Sequence, residues 1–171
     1  MKKCLIVIDM QNDFISGSLG SEEAKNIVQN VKKRIELAIN DNEDLFFTKD
    51  THYDDYLDTK EGSFLPVKHC IEGTDGHEIC DELKIYEKNA TVIFIKNTFG
   101  YKDIPKYLEK YDTITLIGLC TDICVVSNAL LIKAFYPEKD IVLEKDLCAG
   151  TTIDNHNSAL NVMKSCHIRV I

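Results

Sequence analysis

The chain has little of what would tie it to nucleic acid, to a membrane or to an oxidising compartment. Only two of its 171 residues are arginine, Arg34 and Arg169, and the net charge is −8. Phosphate recognition wants clustered positive charge, which argues against nucleic acid as a partner and against an anionic membrane surface. No apolar run reaches the roughly 18–20 residues that span a bilayer. The apolar stretch behind Met1-Lys2-Lys3 stops at Asp9 with no small-residue cleavage site, so it reads as a strand and not a leader. Proline (three) and glycine (eight) are sparse, and there is no linker, repeat or low-complexity tract. Tryptophan is missing altogether. Cysteine is not scarce, but the seven are odd in number, lack short paired spacing, and sit mostly in apolar segments (Cys4, Cys120, Cys148, Cys166). That argues against a disulfide framework and for the reducing cytoplasm.

What is present is an alternation of short β-branched runs with helical patterns. The runs Leu5–Asp9, Asp44–Thr48, Thr91–Ile95, Thr113–Ile117, Asp140–Leu143 and His167–Ile171 are mostly continuous in apolar character, as expected of parallel strands covered on both faces. Ile27, Val31, Ile35 and Ala38 repeat at helical spacing behind Ser21, a plausible cap. Further helices are expected over Glu78–Leu83, Ile104–Lys110, Asp122–Phe135 and Asp154–Cys166. The pattern predicts one three-layer α/β domain over residues 1–171. The long irregular stretch from Lys49 to about Gly76 reads as functional, because loops of that length are uncommon inside compact domains. In open parallel sheets, ligands bind beyond the carboxyl ends of the strands. There the chain places Asp9, Asp50 with His52, Lys96, and the turn at Cys124.

Gly118-Leu119-Cys120-Thr121-Asp122-Ile123-Cys124-Val125 follows a buried-strand pattern and opens a helix. With Thr121 as the N-cap, Cys124 is the third helical residue, where free N–H groups and the helix dipole favour the thiolate. Asp9, at the end of an apolar strand, suits a general base with a raised pKa. Lys96, ending Val92-Ile93-Phe94-Ile95, could pair with Asp9 and lower the thiol pKa. Each residue has a plainer reading: Asp9 as a capping aspartate, Lys96 as a lysine snorkelling to solvent, Cys124 as a structural cysteine on an apolar helix. Cys120 lies four residues before Cys124, which is not the C-x-x-C spacing of a redox pair. In the long loop, Asp50, His52, Glu61 and His69 offer two imidazoles and two carboxylates, a set that suits zinc, manganese or iron. The plainer reading is a polar surface loop with scattered histidines. His77, His156 and His167 have no expected catalytic role, and Asp54, Asp55 and Asp58 read as a solvated face.

Asp-x-Gln-x-Asp-Phe at 9–14, the strand-end Lys96, and the segment 118–125 together resemble the isochorismatase-like cysteine hydrolases, in the right order and over nearly the whole chain. The resemblance implies a three-layer α/β/α sandwich with a six-stranded parallel sheet ordered 3-2-1-4-5-6. It implies a triad of Asp9, Lys96 and Cys124, a non-proline cis peptide between Leu119 and Cys120, and an oxyanion hole made by the backbone N–H groups of Cys120 and Cys124. In that order Lys96 sits on an edge strand, two strands from Asp9 (roughly 9–10 Å), and must lean across strand two. Asp50, His52, Glu61 and His69 resemble the divalent-metal site of the nicotinamidase branch, with Leu65-Pro66-Val67-Lys68-His69 similar to its Pro-x-His segment. Isochorismatases proper lack that site.

Two positions depart from the branch. Thr51 stands where a tryptophan is usual, and Leu65 where an aromatic helps to sandwich the substrate ring. Phe14 is kept as one ring wall, and Phe64, Phe99 and Tyr101 are candidates for the other. The expected activity is amide hydrolysis through a thioester on Cys124, with nicotinamide as the substrate. A second reading in the same fold is hydrolysis of an N-carbamoyl or ureido compound. A third, of another class, is a metal-loaded thiol protein acting as a redox sensor or binding module. The family implies a homo-oligomer, a dimer or tetramer.

Overall fold

Strand β1 (Lys3–Ile8) shows how the chain divides its apolar residues. Successive strand side chains point to opposite faces. Leu5 and Val7 enter one core with Leu45, Phe47 and Ile117, while Cys4, Ile6 and Ile8 enter the other with Phe46, Leu116 and Leu143. A strand covered on both faces needs an unbroken apolar run, which is what residues 4–8 supply. The computed structural model describes residues 1–171. The remaining strands are β2 (Asp44–Asp50), β3 (Ala90–Lys96), β4 (Thr113–Leu119), β5 (Asp140–Ala149) and β6 (Arg169–Val170). They pair in parallel throughout, in the order β3-β2-β1-β4-β5-β6, as expected.

The helices are α1 (Asn12–Ile15), α2 (Glu22–Asn40), α3 (Lys60–Phe64), α4 (Asp81–Lys84), α5 (Val126–Phe135) and α6 (Ile153–Ser165). Helix α2 starts where the sequence places its cap: Ser21 Oγ accepts from Ala24 N at 3.1 Å. Its buried Ala24, Ile27, Val31, Ile35 and Ala38 close the first core. Ala129 and Ile132 of α5 and Ala159, Leu160 and Met163 of α6 close the second. None of the helices is long and apolar enough to cross a membrane, and all seven cysteines are unpaired.

Five segments differ from the expectation. The segment 78–83 holds only the short α4, followed by a 3-10 turn over Ile85–Asn89, and Ile104–Lys110 collapses to one 3-10 turn, Ile104–Tyr107. Runs this short do not repay the entropy of nucleating a helix. Asp122–Phe135 is not one α-helix: residues Thr121–Val125 form a π turn, closed by Val125 N to Cys120 O at 3.1 Å, before α5 begins. Strand β5 runs on through the polar Glu144-Lys145-Asp146 to Ala149, where the apolar pattern stops at Leu143. The stretch 49–76 is not wholly irregular, since a 3-10 turn (Tyr56–Asp58) leads into α3, whose cap Thr59 Oγ1 accepts from Gly62 N at 3.0 Å.

Candidate active site

The carboxyl ends of β1, β2 and β3 and the turn after β4 meet at one edge of the sheet. Gly118 makes that approach possible. Its φ is +117°, and a Cβ there would lie 2.2 Å from Ile8 O. Just beyond Ile8, Asp9 takes a left-handed φ of 45°. Its N–H donates to Thr48 O at 3.2 Å, and Thr48 Oγ1 donates to Asp9 Oδ1 at 2.5 Å. Side-chain hydrogen bonds thus hold a buried carboxylate in a conformation that aspartate tolerates better than most residues.

Lys96 ends β3 directly beside Asp50 of β2. Its side chain does lean across β2. Nζ lies 2.7 Å from Asp9 Oδ2, 3.1 Å from Asp50 Oδ1 and 3.4 Å from Cys124 Sγ. Asp9, Lys96 and Cys124 are respectively 0%, 2% and 4% exposed, so solvent does not screen these contacts. Apart from the ion pair with Lys96, Asp9 Oδ2 has no hydrogen-bond partner.

Two expectations about the turn that carries Cys124 are corrected. Thr121 does not cap a helix; its hydroxyl pairs with His156 Nδ1 at 2.8 Å, and Cys120 occupies the N-cap position without a side-chain bond. Nor does the site favour the thiolate. Burial, and then the Asp9 charge, push the Cys124 thiol well above its ordinary value, and Lys96 opposes them without prevailing. Burial likewise raises the Asp9 carboxyl, against the pull of Lys96. Burial thus works against ionisation of the Cys124 thiol, which lies beside the Asp9–Lys96 contact. The expected cis peptide between Leu119 and Cys120 is present, and the Cys120 N–H donates to no carbonyl.

The four loop residues also converge. One donor atom each from Asp50, His52, Glu61 and His69 lies within 4.8 Å of the others. His52 Nε2 is 3.1 Å from Asp50 Oδ2 and 3.5 Å from Glu61 Oε1; His69 Nε2 is 3.6 and 3.7 Å from the same two oxygens. Bonds of about 2.0–2.2 Å to a divalent transition ion place adjacent donors about 3.0–3.5 Å apart, so the residues fit such an ion. Their supports fit as well. His69 Nδ1 pairs with Val67 O at 2.8 Å, which turns the Nε2 lone pair to the cluster. Gln11 clamps the Asp50 backbone, accepting from Asp50 N at 2.7 Å and donating to Asp50 O at 2.8 Å. Tyr56 stacks edgewise on both imidazoles. His77 stays outside the cluster and pairs with Thr51 at 2.9 Å.

A cavity of about 820 Å³ opens over both groups. Phe14, Leu65 and Phe99 all line it, together with Phe64, Cys120, Cys124, Asp50, Glu61 and His69. Tyr101 does not; its ring packs on Phe94 at 5.1 Å. The sequence reading missed Leu19, Lys60, Asn97, Thr98 and Ile123 in the lining. Lys60, Asn97 and Ile123 adjoin Glu61, Lys96 and Cys124, which is the one signal that points to them. Leu19 lies in a glycine-flanked loop and carries no such signal.

A family model described as the Isochorismatase domain matches residues 3–171. The nicotinamidase of Saccharomyces cerevisiae is 27% identical over 173 residues, which cover 75% of this chain and 80% of the yeast protein. The crystal structure of nicotinamidase PncA from Bacillus subtilis shares 30% identity and a TM-score of 0.86 over 99% of both chains. That of N-carbamoylsarcosine amidase from Thermoplasma acidophilum shares 27% identity and a TM-score of 0.79, over 99% of this chain and 95% of its own. With the family model matched from residue 3 to residue 171 and one fold shared along that length, the chain belongs to the isochorismatase family.

Proposed function

We propose that this chain is a metal-containing cysteine amidohydrolase that converts nicotinamide and water to nicotinate and ammonia. The observation that carries the reading is the position of Lys96 Nζ, in reach of Asp9, Cys124 and Asp50 at once. In the first half-reaction Asp9 takes the proton from Cys124 Sγ, and the sulfur attacks the amide carbonyl. The N–H groups of Cys120 and Cys124 receive the oxyanion. Asp9 passes its proton to the nitrogen, the C–N bond breaks, and ammonia leaves a thioester. In the second half Asp9 takes a proton from water, whose oxygen attacks the thioester carbonyl. The C–S bond breaks, the acid departs, and the proton returns to sulfur. Lys96 stays charged throughout and offsets the negative charge as it moves between carboxylate and sulfur.

Asp50, His52, Glu61 and His69 would hold the divalent ion, zinc by preference over manganese or iron. When bound, it supplies a Lewis-acidic site for the substrate's ring nitrogen. Phe14, Leu65 and Phe99 wall the ring. Seven unpaired cysteines suit the cytoplasm, and a dimer or tetramer is the proposed assembly.

The test is ammonia release from nicotinamide by the metal-loaded protein, with loss of turnover in Cys124→Ala. Thr51 and Leu65 favour keeping the second reading in the same assay. Turnover of N-carbamoyl compounds with none of nicotinamide would transfer the assignment to that class. No hydrolysis of either, with reversible oxidation of Cys120 and Cys124, would move it to a thiol redox or binding protein.

A further inference from the structure

We propose that Asn128 is a positioning residue that fixes the cavity wall carrying Phe99 against the turn carrying Cys124. Asn128 lies on α5, one turn beyond the nucleophile, and is fully buried. Its amide spends its bonds on two separate segments. Nδ2 donates to Cys124 O at 2.8 Å and to Phe99 O at 3.2 Å, and Oδ1 accepts from Tyr101 N at 2.9 Å. The segment it holds leads away from Lys96, and Asn97, Thr98 and Phe99 of that segment line the cavity. Gly100 rests directly on the start of α5, where a Cβ would lie 3.4 Å from Ser127.

The consequence is mechanical. Lys96 and Phe99 stand at the two ends of one four-residue stretch, and Cys124 stands across from both. Beyond Lys96, whose carbonyl accepts from Thr51 N at 2.7 Å, no ladder partner holds that stretch, because β3 is the edge strand and ends there. Asn128 supplies the missing cross-link. A purely apolar residue there would leave a carbonyl and an N–H of the wall unpaired, and the wall would move to find water. Binding geometry in such a site is held to about 0.5 Å, so a shift of Phe99 relative to Cys124 loosens the seat of the substrate ring.

The inference rests on the hydrolase reading for its kinetic arm, and a second arm is independent of it. Asn128→Leu keeps the shape and removes all three bonds. Asn128→Ser keeps a hydroxyl able to donate to the carbonyl four residues back, that of Cys124, and loses the wall. In the kinetic arm both variants are expected to raise KM for nicotinamide about 10-fold, with kcat changed less than 3-fold. In a Phe99→Ala background that effect should shrink below 2-fold. In the second arm, iodoacetamide labelling is read peptide by peptide, with the exposed Cys166 as the internal reference. Cys124 in Asn128→Leu should label at least 5-fold faster relative to Cys166 than in the parent, and in Asn128→Ser at close to the parent ratio. A role confined to folding would lower the thermal midpoint and speed the labelling of the buried Cys4 and Cys148 in step with Cys124, leaving KM unmoved, and that result overturns the proposal. So does an undiminished KM effect in the Phe99→Ala background. If the parent does not hydrolyse nicotinamide, the hydrolase reading fails and the labelling ratio alone decides for or against Asn128. If Asn128→Leu does not fold, the KM of Asn128→Ser decides.

Discussion

At the scale of single residues, Lys96 joins two sites that the chain builds from different segments. It pairs with Asp9 and Asp50 at once, and all three are buried. Removing one partner of a buried ion pair leaves the other charge without compensation, at a cost of about 3–5 kcal/mol. Lys96→Met should therefore lower stability by about that amount in urea unfolding, besides abolishing turnover; a loss below about 1 kcal/mol would show that the carboxylates take up a proton or reach solvent when the cation goes. Asp9 makes a separate prediction. It must be ionised to accept the thiol proton, and burial raises its carboxyl above the ordinary value of 3.8. As pH falls through that raised value the base is lost, so the acid limb of kcat/KM should lie above the usual carboxylate range. Asp9→Asn should cost about 10²–10⁴-fold and remove the limb. A limb at an ordinary carboxylate pKa, unchanged in Asp9→Asn, would assign the base elsewhere. Asp9 and Lys96 were legible because strand ends announce themselves as a polar residue closing an apolar run, and Cys124 because it follows such a run in a turn that opens a helix. The burial of Cys124 was not. The helix dipole is visible in sequence, whereas the depth of burial that opposes it is set by segments far apart in the chain.

Elements were legible in proportion to their length and the purity of their period. Helix α2 repeats its apolar positions over 19 residues and was placed with its cap. The π turn at Thr121–Val125 was invisible, because one extra residue in a turn leaves the composition unchanged and only alters which carbonyl receives Val125 N. The loop from Asp50 to His69 was readable in its donors and unreadable in its shape. Helix α3, which brings Glu61 to the cluster, fits only because residue 62 is glycine: a Cβ there would lie 2.1 Å from Tyr56 O. Gly62→Ala must push α3 off the 3-10 turn beneath it and carry Glu61 with it. Metal affinity should fall about 10–100-fold, as for other losses of support around a metal ligand. Equilibrium dialysis with zinc measures it, and an affinity equal to the parent's would show that Glu61 is not a ligand.

At the scale of the whole molecule, the convergence of Asp50, His52, Glu61 and His69 ties the loop 51–69 to the sheet. Asp50 ends β2 of the sheet, while Glu61 and His69 belong to the long connection that lines the cavity. An ion held by all of them binds the folded chain and finds no such arrangement in the unfolded one. The stabilisation follows mass action and reaches about 2.7 kcal/mol when free metal is 100 times its dissociation constant. For a chain of this size each kcal/mol moves the thermal midpoint by about 2–4 °C, so saturating metal should raise it by roughly 5–10 °C over the chelated protein. The midpoint should climb with the logarithm of free metal. His69→Ala should flatten that dependence without removing the reactive thiol, since Cys124 and its partners reach the site from β1, β3 and the turn after β4. A midpoint indifferent to metal in the parent would mean that the four side chains hold one another through hydrogen bonds alone, and the cavity would then have to orient its substrate by Phe14, Leu65 and Phe99 without an ion.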